Sequence, residues 1–569
     1  MEITKKKTNT VEIICKNTNI TKEYPLGTSL YEICADQNVR LSERIIAAKV
    51  NNKLRELDYE VFKPKIIEFI TIEDSTGHSM YMRSILFILF KAVRDLYPQA
   101  SLHIEHSLPL GFYCEIQALG EDLNIEHIEA IQNRAHEIIA LDLPFERKQI
   151  LTPDAIEVYK KNRLFEKVAL FETRNELYTS VYTLDNVANY FYGYLVPSTG
   201  YIKEFYITKY FNGLLALLPK KFKELKQNTN SKSFIKESEN GGSKLFKIFQ
   251  EHKDWLDILG VPYVGTLNKV IEYKAIGQII KIAEALHEKK IAKIADEINL
   301  QKDCKLVLIS GPSSSGKTTF CKRLGVQLQV LGYKTVEISL DNYFLDREFT
   351  PKDIHGDYDF ESIDTIDIPF FNQQLLALLN NEEIESPEFD FISGKKKNSG
   401  KMLKMDPKSI LIIEGIHALT PKLTLDIQNK FKYKIFVSAL THIAIDTQNP
   451  IQSTDNRLIR RIIRDHQYRG YSAKETIRRW KSVRTGENKN IFPYQENADI
   501  MFNSALLFEL GVLKQYAEPL LRAVPENCDE YMEAGRLLKF LSYFLPIEEK
   551  EIPPTSILRE FLGGSSFMY

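Results

Sequence analysis

Residues 311–320 read GPSSSGKTTF, and the spacing Gly311-x-x-x-x-Gly316-Lys317-Thr318 is that of a phosphate-gripping loop. The flanks are the ones such a loop requires. KLVLIS (305–310) precedes it as an apolar strand, and TTFCKRLGVQLQVLG (318–332) places Phe320, Leu324, Leu328 and Leu331 on one face of a helix. Gly311 and Gly316 let backbone N–H groups approach phosphate oxygens, and the helix N-terminus adds partial positive charge. Ser313, Ser314, Ser315 and Thr319 complete the expected nucleotide-binding set. Lys317 is expected to reach the terminal phosphates, and Thr318 to ligate magnesium. The loop thus predicts ATP and Mg2+ but is silent about the acceptor.

Two strands further on speak to the acceptor. KTVEISLDNYF (334–344) alternates Val336, Ile338 and Leu340 like a buried strand and ends at Asp341. A right-handed strand–helix–strand crossover brings that carboxylate to the same sheet edge as the phosphate loop. SILIIEG (409–415) is a second buried strand ending at Glu414, where a carboxylate can hold a metal-bound water. Two acids at one edge suit a kinase, with Asp341 taking a hydroxyl proton and Glu414 helping the metal. The lesser alternative for Asp341 is a helix cap or turn residue. Beyond them, TDNRLIRRIIRDHQYRG (454–470) spaces Arg457, Arg460 or Arg461, and Arg464 along one helix face, with Leu458, Ile459, Ile462 and Ile463 on the other. Such a helix can swing over a triphosphate as a lid, with Arg461 at the transferring phosphoryl group. A solvated basic face or an RNA-contacting patch is the alternative.

At roughly 150 residues per domain, 569 residues suggest three or four domains, and 44% hydrophobic content supports ordinary cores. The formal charge of −1 gives no global attraction to nucleic acid or membrane, so any polyanion site must be local. Six scattered cysteines form no CxxC pair, which disfavours a disulfide framework or zinc knuckle and points to a cytoplasmic protein. The longest apolar run, SILFILF (84–90), is far short of the ~20 residues that cross a bilayer, so no membrane role is expected.

Ahead of the loop, residues 11–73 read as a small β-rich unit in which Ser29 and Glu32 have capping-box spacing. A second unit starts near His78, with a helix at MRSILFILFKAVRDLY (82–97). The polar stretch 226–244 reads as a linker, and IGQIIKIAEALHEKKIAKIADEI (276–298) as a helical connector.

From about residue 301 the chain resembles the uridine kinase and phosphoribulokinase family, on GPSSSGKTTF, SLDNYF, YDFESIDTID, PEFDF, LIIEGIHAL and DNRLIRRIIRDHQYRG in the family's order. The resemblance implies that Asp341 is the general base and Asp359 clamps the ribose hydroxyls. It places Phe389 beside the base and Arg457 in the lid near the substrate, with Tyr343 on the substrate side as well. Gly394 stands where uridine-cytidine kinases carry a base-reading histidine, which leaves base selectivity open.

The first 215 or so residues resemble the N-terminal part of threonyl-tRNA synthetase, a TGS module followed by the additional editing-type domain. GTSLYEICADQ, IIAAKVNNKLREL, GHSMYMRSILF, GFYCEI and YFYGYLVPSTGYIKEFYI carry the likeness. That domain presents a His-x-x-x-His pair and a Cys-x-x-x-His pair; here the positions hold His78, Met82, Phe191 and Leu195. Three of the four can neither shuttle protons nor bind a borderline metal, so editing chemistry is expected to be absent.

The expected architecture is multidomain α/β and α+β. A β-grasp TGS module (1–75) and a degenerate α+β synthetase-type domain (76–225) come first, then a linker and helical connector (226–300), then a P-loop kinase domain with a doubly wound parallel sheet (301–569), ending in ILREFLGGSSF (557–567). The function expected is phosphorylation of the 5′-hydroxyl of a nucleoside, uridine first and cytidine second. A kinase of another sugar-like alcohol and an RNA- or ribosome-binding NTPase switch are the alternatives. RNA contact through the N-terminal half and a homo-oligomer both stay open. Because every candidate catalytic residue follows position 300, a fragment starting near 268 is expected to work without the N-terminal half.

Overall fold

A computed structural model describes residues 9–108, 111–217, 244–352, 356, 358–390 and 393–568. Apart from Lys244, the expected linker and the boundary at 225/226 lie outside the described residues.

The first unit is a five-stranded mixed sheet in the order Ile20–Pro25, Thr10–Cys15, Lys65–Ile70, Ala47–Val50, Lys53–Arg55. Its central pair runs parallel. Val11, Ile13 and Cys15 alternate inward against Leu30 and Ile33 of the helix Leu30–Asp36. The capping box forms, with Ser29 N donating to Glu32 Oε2 at 2.7 Å and Glu32 N to Ser29 Oγ at 3.3 Å. This is the β-grasp expected.

In the second unit the long helix runs Ser75–Leu96, seven residues earlier than its apolar periodicity predicts. Gly77 permits this, because a Cβ there would stand 2.0 Å from the Thr71 carbonyl oxygen. Antiparallel sheets of four and three strands complete the α+β unit. Met82, Phe191 and Leu195 are buried in its core, with Phe191 packed 5.1 Å from Phe87. All six cysteines are free. No helix among the described residues is long and apolar enough to cross a membrane.

The helices Lys244–Leu259, Val264–Glu272 and Ile276–Leu300 lead into a five-stranded sheet ordered Lys334–Ser339, Ser409–Glu414, Leu306–Ser310, Lys432–Ser438, Ile500–Asn503. All its pairings are parallel. The helix Lys317–Val330 follows the strand Leu306–Ser310, the helices Ser453–Arg469 and Ala473–Asn490 come in succession after the strand Lys432–Ser438, and Glu509–Arg522 and Glu530–Leu541 lie beyond the last strand.

The two halves share one apolar core that runs from Ile46 to Leu562. The segment between the strand Lys432–Ser438 and the helix Ser453–Arg469 penetrates the synthetase-type unit. There Ile104 N donates to Thr447 O at 2.8 Å, and Gln448 Nε2 to Leu102 O at 3.0 Å. Lys167 Nζ meets Asp446 Oδ1 at 2.6 Å with both side chains wholly buried. Asn268, in the connector, bridges the two sides, its Nδ2 donating to Thr173 Oγ1 at 3.1 Å and to Tyr543 O at 2.8 Å. The expectation of a self-sufficient fragment rests on the candidate catalytic residues all following position 300, and these contacts tie that part of the chain to the part before it.

Candidate functional site

Parallel pairing sends the carboxyl ends of all five strands to one edge, and the phosphate loop leaves the central strand there. Gly311 is required by crowding, since a Cβ would lie 1.9 Å from Val437 O. Gly316 closes the loop at φ +83°, a left-handed conformation that favours glycine, and Ser314 adopts φ +59°. The first turn of the helix Lys317–Val330, whose N–H groups have no partner within the helix, then opens onto a cleft of about 470 Å3 lined by Gly316, Lys317 and Thr318.

Lys317, Thr318, Asp341, Glu414 and Arg461 all line this cleft. The strand carrying Asp341 stops at Ser339, and residues 340–343 form a 3-10 turn, so the carboxylate sits on the first turn beyond the sheet. Glu414 ends its strand as expected and accepts from Ser339 Oγ at 2.7 Å. Burial, reinforced by the Asp341 charge and opposed by Lys317, pushes the Glu414 carboxyl up to about 7. Lys317 donates to the Pro312 carbonyl at 3.2 Å; burial lowers its pKa, while Glu414 and Asp341 favour its charge.

The donors present suit the groups a phosphate loop takes. The Ser314 hydroxyl is buried on the cleft wall with no partner among the described residues. Glu414 and the Thr318 hydroxyl offer the hard oxygen ligands that magnesium prefers.

The arginines divide. Arg461 Nη1 donates to Ser313 Oγ at 3.1 Å and Nε to Asp465 at 3.1 Å, and Arg464 shares that aspartate from the cleft wall. Arg460 is fully buried against Glu509 and the Ser504 carbonyl. Arg457, expected at the substrate, lies outside the cleft lining. It is buried between Glu487 and Ser313 O, 2.9 Å from the latter, with its guanidinium 5.4 Å from the Trp480 ring. With its apolar residues and two arginines buried, this helix forms a wall of the cleft in this structure, and only Arg461, Arg464 and Arg469 of its arginines line it.

Of the acceptor-side residues, Phe389 lines the cleft, 5.6 Å from Phe344 in an edge-to-face pair. Tyr343 does not. It is wholly buried, and its hydroxyl donates to Gln374 at 2.7 Å, so it is a core residue. Asp359 is half-buried just outside the lining. The helix Ala473–Asn490 presses on it through Gly486, whose missing Cβ would stand 2.4 Å from Glu361 Cβ and 3.6 Å from Asp359 Oδ1.

Sequence patterns gave no warning of Glu361, Arg469, Arg479, Glu487 or Glu560, which also face the cleft. Glu361, Arg469 and Glu560 lie within stretches quoted above, but no spacing in those stretches marks them as facing the cleft. Burial pushes Glu361 up from 4.5 to about 7, with Arg461 opposing and Glu487 and Asp359 adding to the rise. A raised carboxyl stabilises the fold only while protonated. That contribution is complete below about pH 4.5 and is lost as pH rises through about 7. Glu361→Gln, which does not titrate, is therefore expected to gain on wild type between pH 5 and pH 8, by on the order of 1–3 kcal/mol. Melting curves at the two pH values check this; a pH-independent difference refutes it.

Comparison with known proteins divides the chain in the same way. Residues 306–507 match the family model described as "Phosphoribulokinase / Uridine kinase family". The N-terminal part is similar to threonine–tRNA ligases, 28% identical over 194 residues to that of Desulforamulus reducens, covering 34% of this chain and 30% of that protein. The enzyme of Syntrophomonas wolfei is 28% identical over 183 residues, covering 32% of this chain and 29% of that one. The chain thus spans less than a third of the length of these curated relatives. Among solved structures, a "Possible Uridine Kinase" from Bacillus stearothermophilus aligns at TM-score 0.25 and 15% identity, over 37% of this chain and 100% of its own. D-glycerate 3-kinase from Cryptococcus neoformans aligns at 0.22 and 14%, over 49% and 90%.

Proposed function

We propose, from a C-terminal unit matching the phosphoribulokinase and uridine kinase family, that this protein transfers the γ-phosphoryl group of ATP to the 5′-hydroxyl of a ribonucleoside, uridine before cytidine. The observation that carries the reading is the convergence of Lys317, Thr318, Asp341, Glu414 and Arg461 on one cleft with an aromatic floor at Phe389. Asp341 accepts the hydroxyl proton as the acceptor oxygen bonds to the γ-phosphorus and the bond to the β-phosphate bridge breaks, releasing ADP. Lys317 and Arg461 hold the charge on the phosphoryl oxygens. Thr318 and Glu414 would hold Mg2+, which when bound neutralises the phosphates. Most of the rate then comes from positioning.

Asp359 supplies the ribose test. A carboxylate that accepts from both ribose hydroxyls is left partly unpaired by a 2′-deoxy acceptor, at a cost of about 1–3 kcal/mol. A coupled ADP-release assay across nucleosides and sugars is expected to show uridine favoured over deoxyuridine by about ten- to a hundredfold, the same energy as a rate ratio. Equal efficiency on the two removes the clamp, and turnover only with a non-nucleoside alcohol favours the sugar-kinase reading. The similarity of the N-terminal part to threonine–tRNA ligases supports a second reading, an RNA-responsive NTPase. ADP release that needs RNA and no acceptor would favour it.

A further inference from the structure

The last described turn of the chain reaches back into the phosphate loop. Thr319, third residue of the helix Lys317–Val330, gives both its donors to one carboxylate oxygen of Glu560: its N–H at 3.2 Å and its Oγ at 2.8 Å. An N–H in that first turn has no partner within the helix, and such groups are what a phosphate loop offers to a bound polyphosphate. Here one of them already holds an anion supplied by the chain itself.

The segment bearing Glu560 is firmly seated. Ser556, Ile557, Leu558 and Phe561 are buried, Phe561 lies 5.0 Å beneath the Arg460 guanidinium, and Gln467 Nε2 donates to Leu562 O at 3.3 Å. Ile557 packs against Gly316 so closely that a Cβ there would meet it at 2.6 Å. Glu560 itself is only half-buried and faces the open cleft. Its side chain can therefore rotate out of the loop without unseating the backbone. A second carboxylate, Glu487, accepts from Ser313 N at 3.0 Å, but it is wholly buried and paired with Arg457, so it belongs to the scaffold. Of these two carboxylates, Glu560 is the one that is both bonded to the first turn of the loop's helix and exposed enough to leave it. The segment lies beyond the region matched by the family model, which ends at residue 507.

We propose that Glu560 is a built-in competitor for the triphosphate: its carboxylate occupies the Thr319 donors in the resting enzyme and must swing away when ATP binds, so the C-terminal turn sets the nucleotide affinity. The inference rests on the nucleotide-site reading above. A carboxylate and a phosphate oxygen cannot share the same two donors, and removing the negative charge removes the competition.

The test is calorimetric titration of the full chain with Mg-ATP and, separately, with inorganic tripolyphosphate. Glu560→Gln is nearly isosteric and uncharged, and is expected to bind both probes about fivefold or more tightly than wild type, with Glu560→Lys tighter still. Equal affinity for wild type and both variants overturns the competitor role, as does weaker binding by Glu560→Gln, which would make Glu560 part of the nucleotide site. Binding of neither probe by any of the three proteins overturns the nucleotide-site reading itself. Melting curves confirm that the variants are folded, since none of the buried anchors is changed.

Discussion

Asp341→Asn is expected to lower nucleoside-dependent ATP turnover by ~100-fold or more while leaving ATP affinity nearly unchanged. Asparagine keeps the shape of the side chain and cannot take the acceptor's proton. The variant also removes a negative neighbour of Glu414, one of the causes that push that carboxyl up, so Glu414 becomes easier to ionise and metal binding should not suffer. A fall in turnover with intact binding thus isolates the proton transfer. Lys317→Ala is the contrast, expected to lose affinity and rate together because its ammonium serves both ground state and transition state. Normal phosphorylation of uridine by the asparagine variant would remove Asp341 from the role of base.

The second large effect is expected far from the cleft. Lys167→Ala leaves the Asp446 carboxylate wholly buried with only Asn449 Nδ2 and the Gln448 N–H to meet it. Breaking one partner of such a pair costs about 3–5 kcal/mol, because an uncompensated charge stays in a dry interior. Asp446 lies seven residues before the first residue of the arginine helix, Ser453, so the damage should appear as lost nucleoside turnover as well as a lower melting temperature. Lys167→Met combined with Asp446→Asn, which removes both charges, is expected to recover most of the stability. If Lys167→Ala melts like wild type, the seam contributes nothing. The same geometry reverses the expectation for a fragment starting near 268. Such a fragment exposes Asp446 and strips Tyr190 and Thr173 from their partners, Asn449 and Asn268, and it is expected to be unstable.

The β-grasp module and the phosphate loop were legible because their signals are local. A capping box spans four residues, a strand alternates every second residue, and Gly311 to Thr318 is one short loop whose spacing the chemistry dictates. Asp341 and Glu414 were legible one step further out, since strand ends in a parallel sheet must share an edge. The apolar period marks the helix only from residue 82, because the first turns through Gly77 and His78 carry no apolar period, and the close approach of Gly77 to the Thr71 carbonyl is a tertiary contact.

The arginine helix marks where that reasoning stops. Its spacing correctly put Arg461 and Arg464 on the cleft side, yet Arg457 and Arg460 have the same chemistry and are buried against Glu487 and Glu509. Those acids come from other helices, and no one-dimensional pattern records which arginine they will claim. Tyr343 fails for the same reason: a tyrosine two residues from the candidate base looks like a substrate contact until Gln374 takes its hydroxyl.

By itself, then, the sequence determined the fold of each unit, the nucleotide loop, and the two acids at its edge, all properties of neighbouring residues and of a backbone with few allowed conformations. Tertiary structure alone decided which charges became scaffold and which faced the cleft. It brought Lys167 to Asp446 across 279 residues and Glu560 to Thr319 across 241. Such pairs follow from burial, because a charge taken out of water must find a partner wherever the fold supplies one, and sequence distance has no bearing on that requirement.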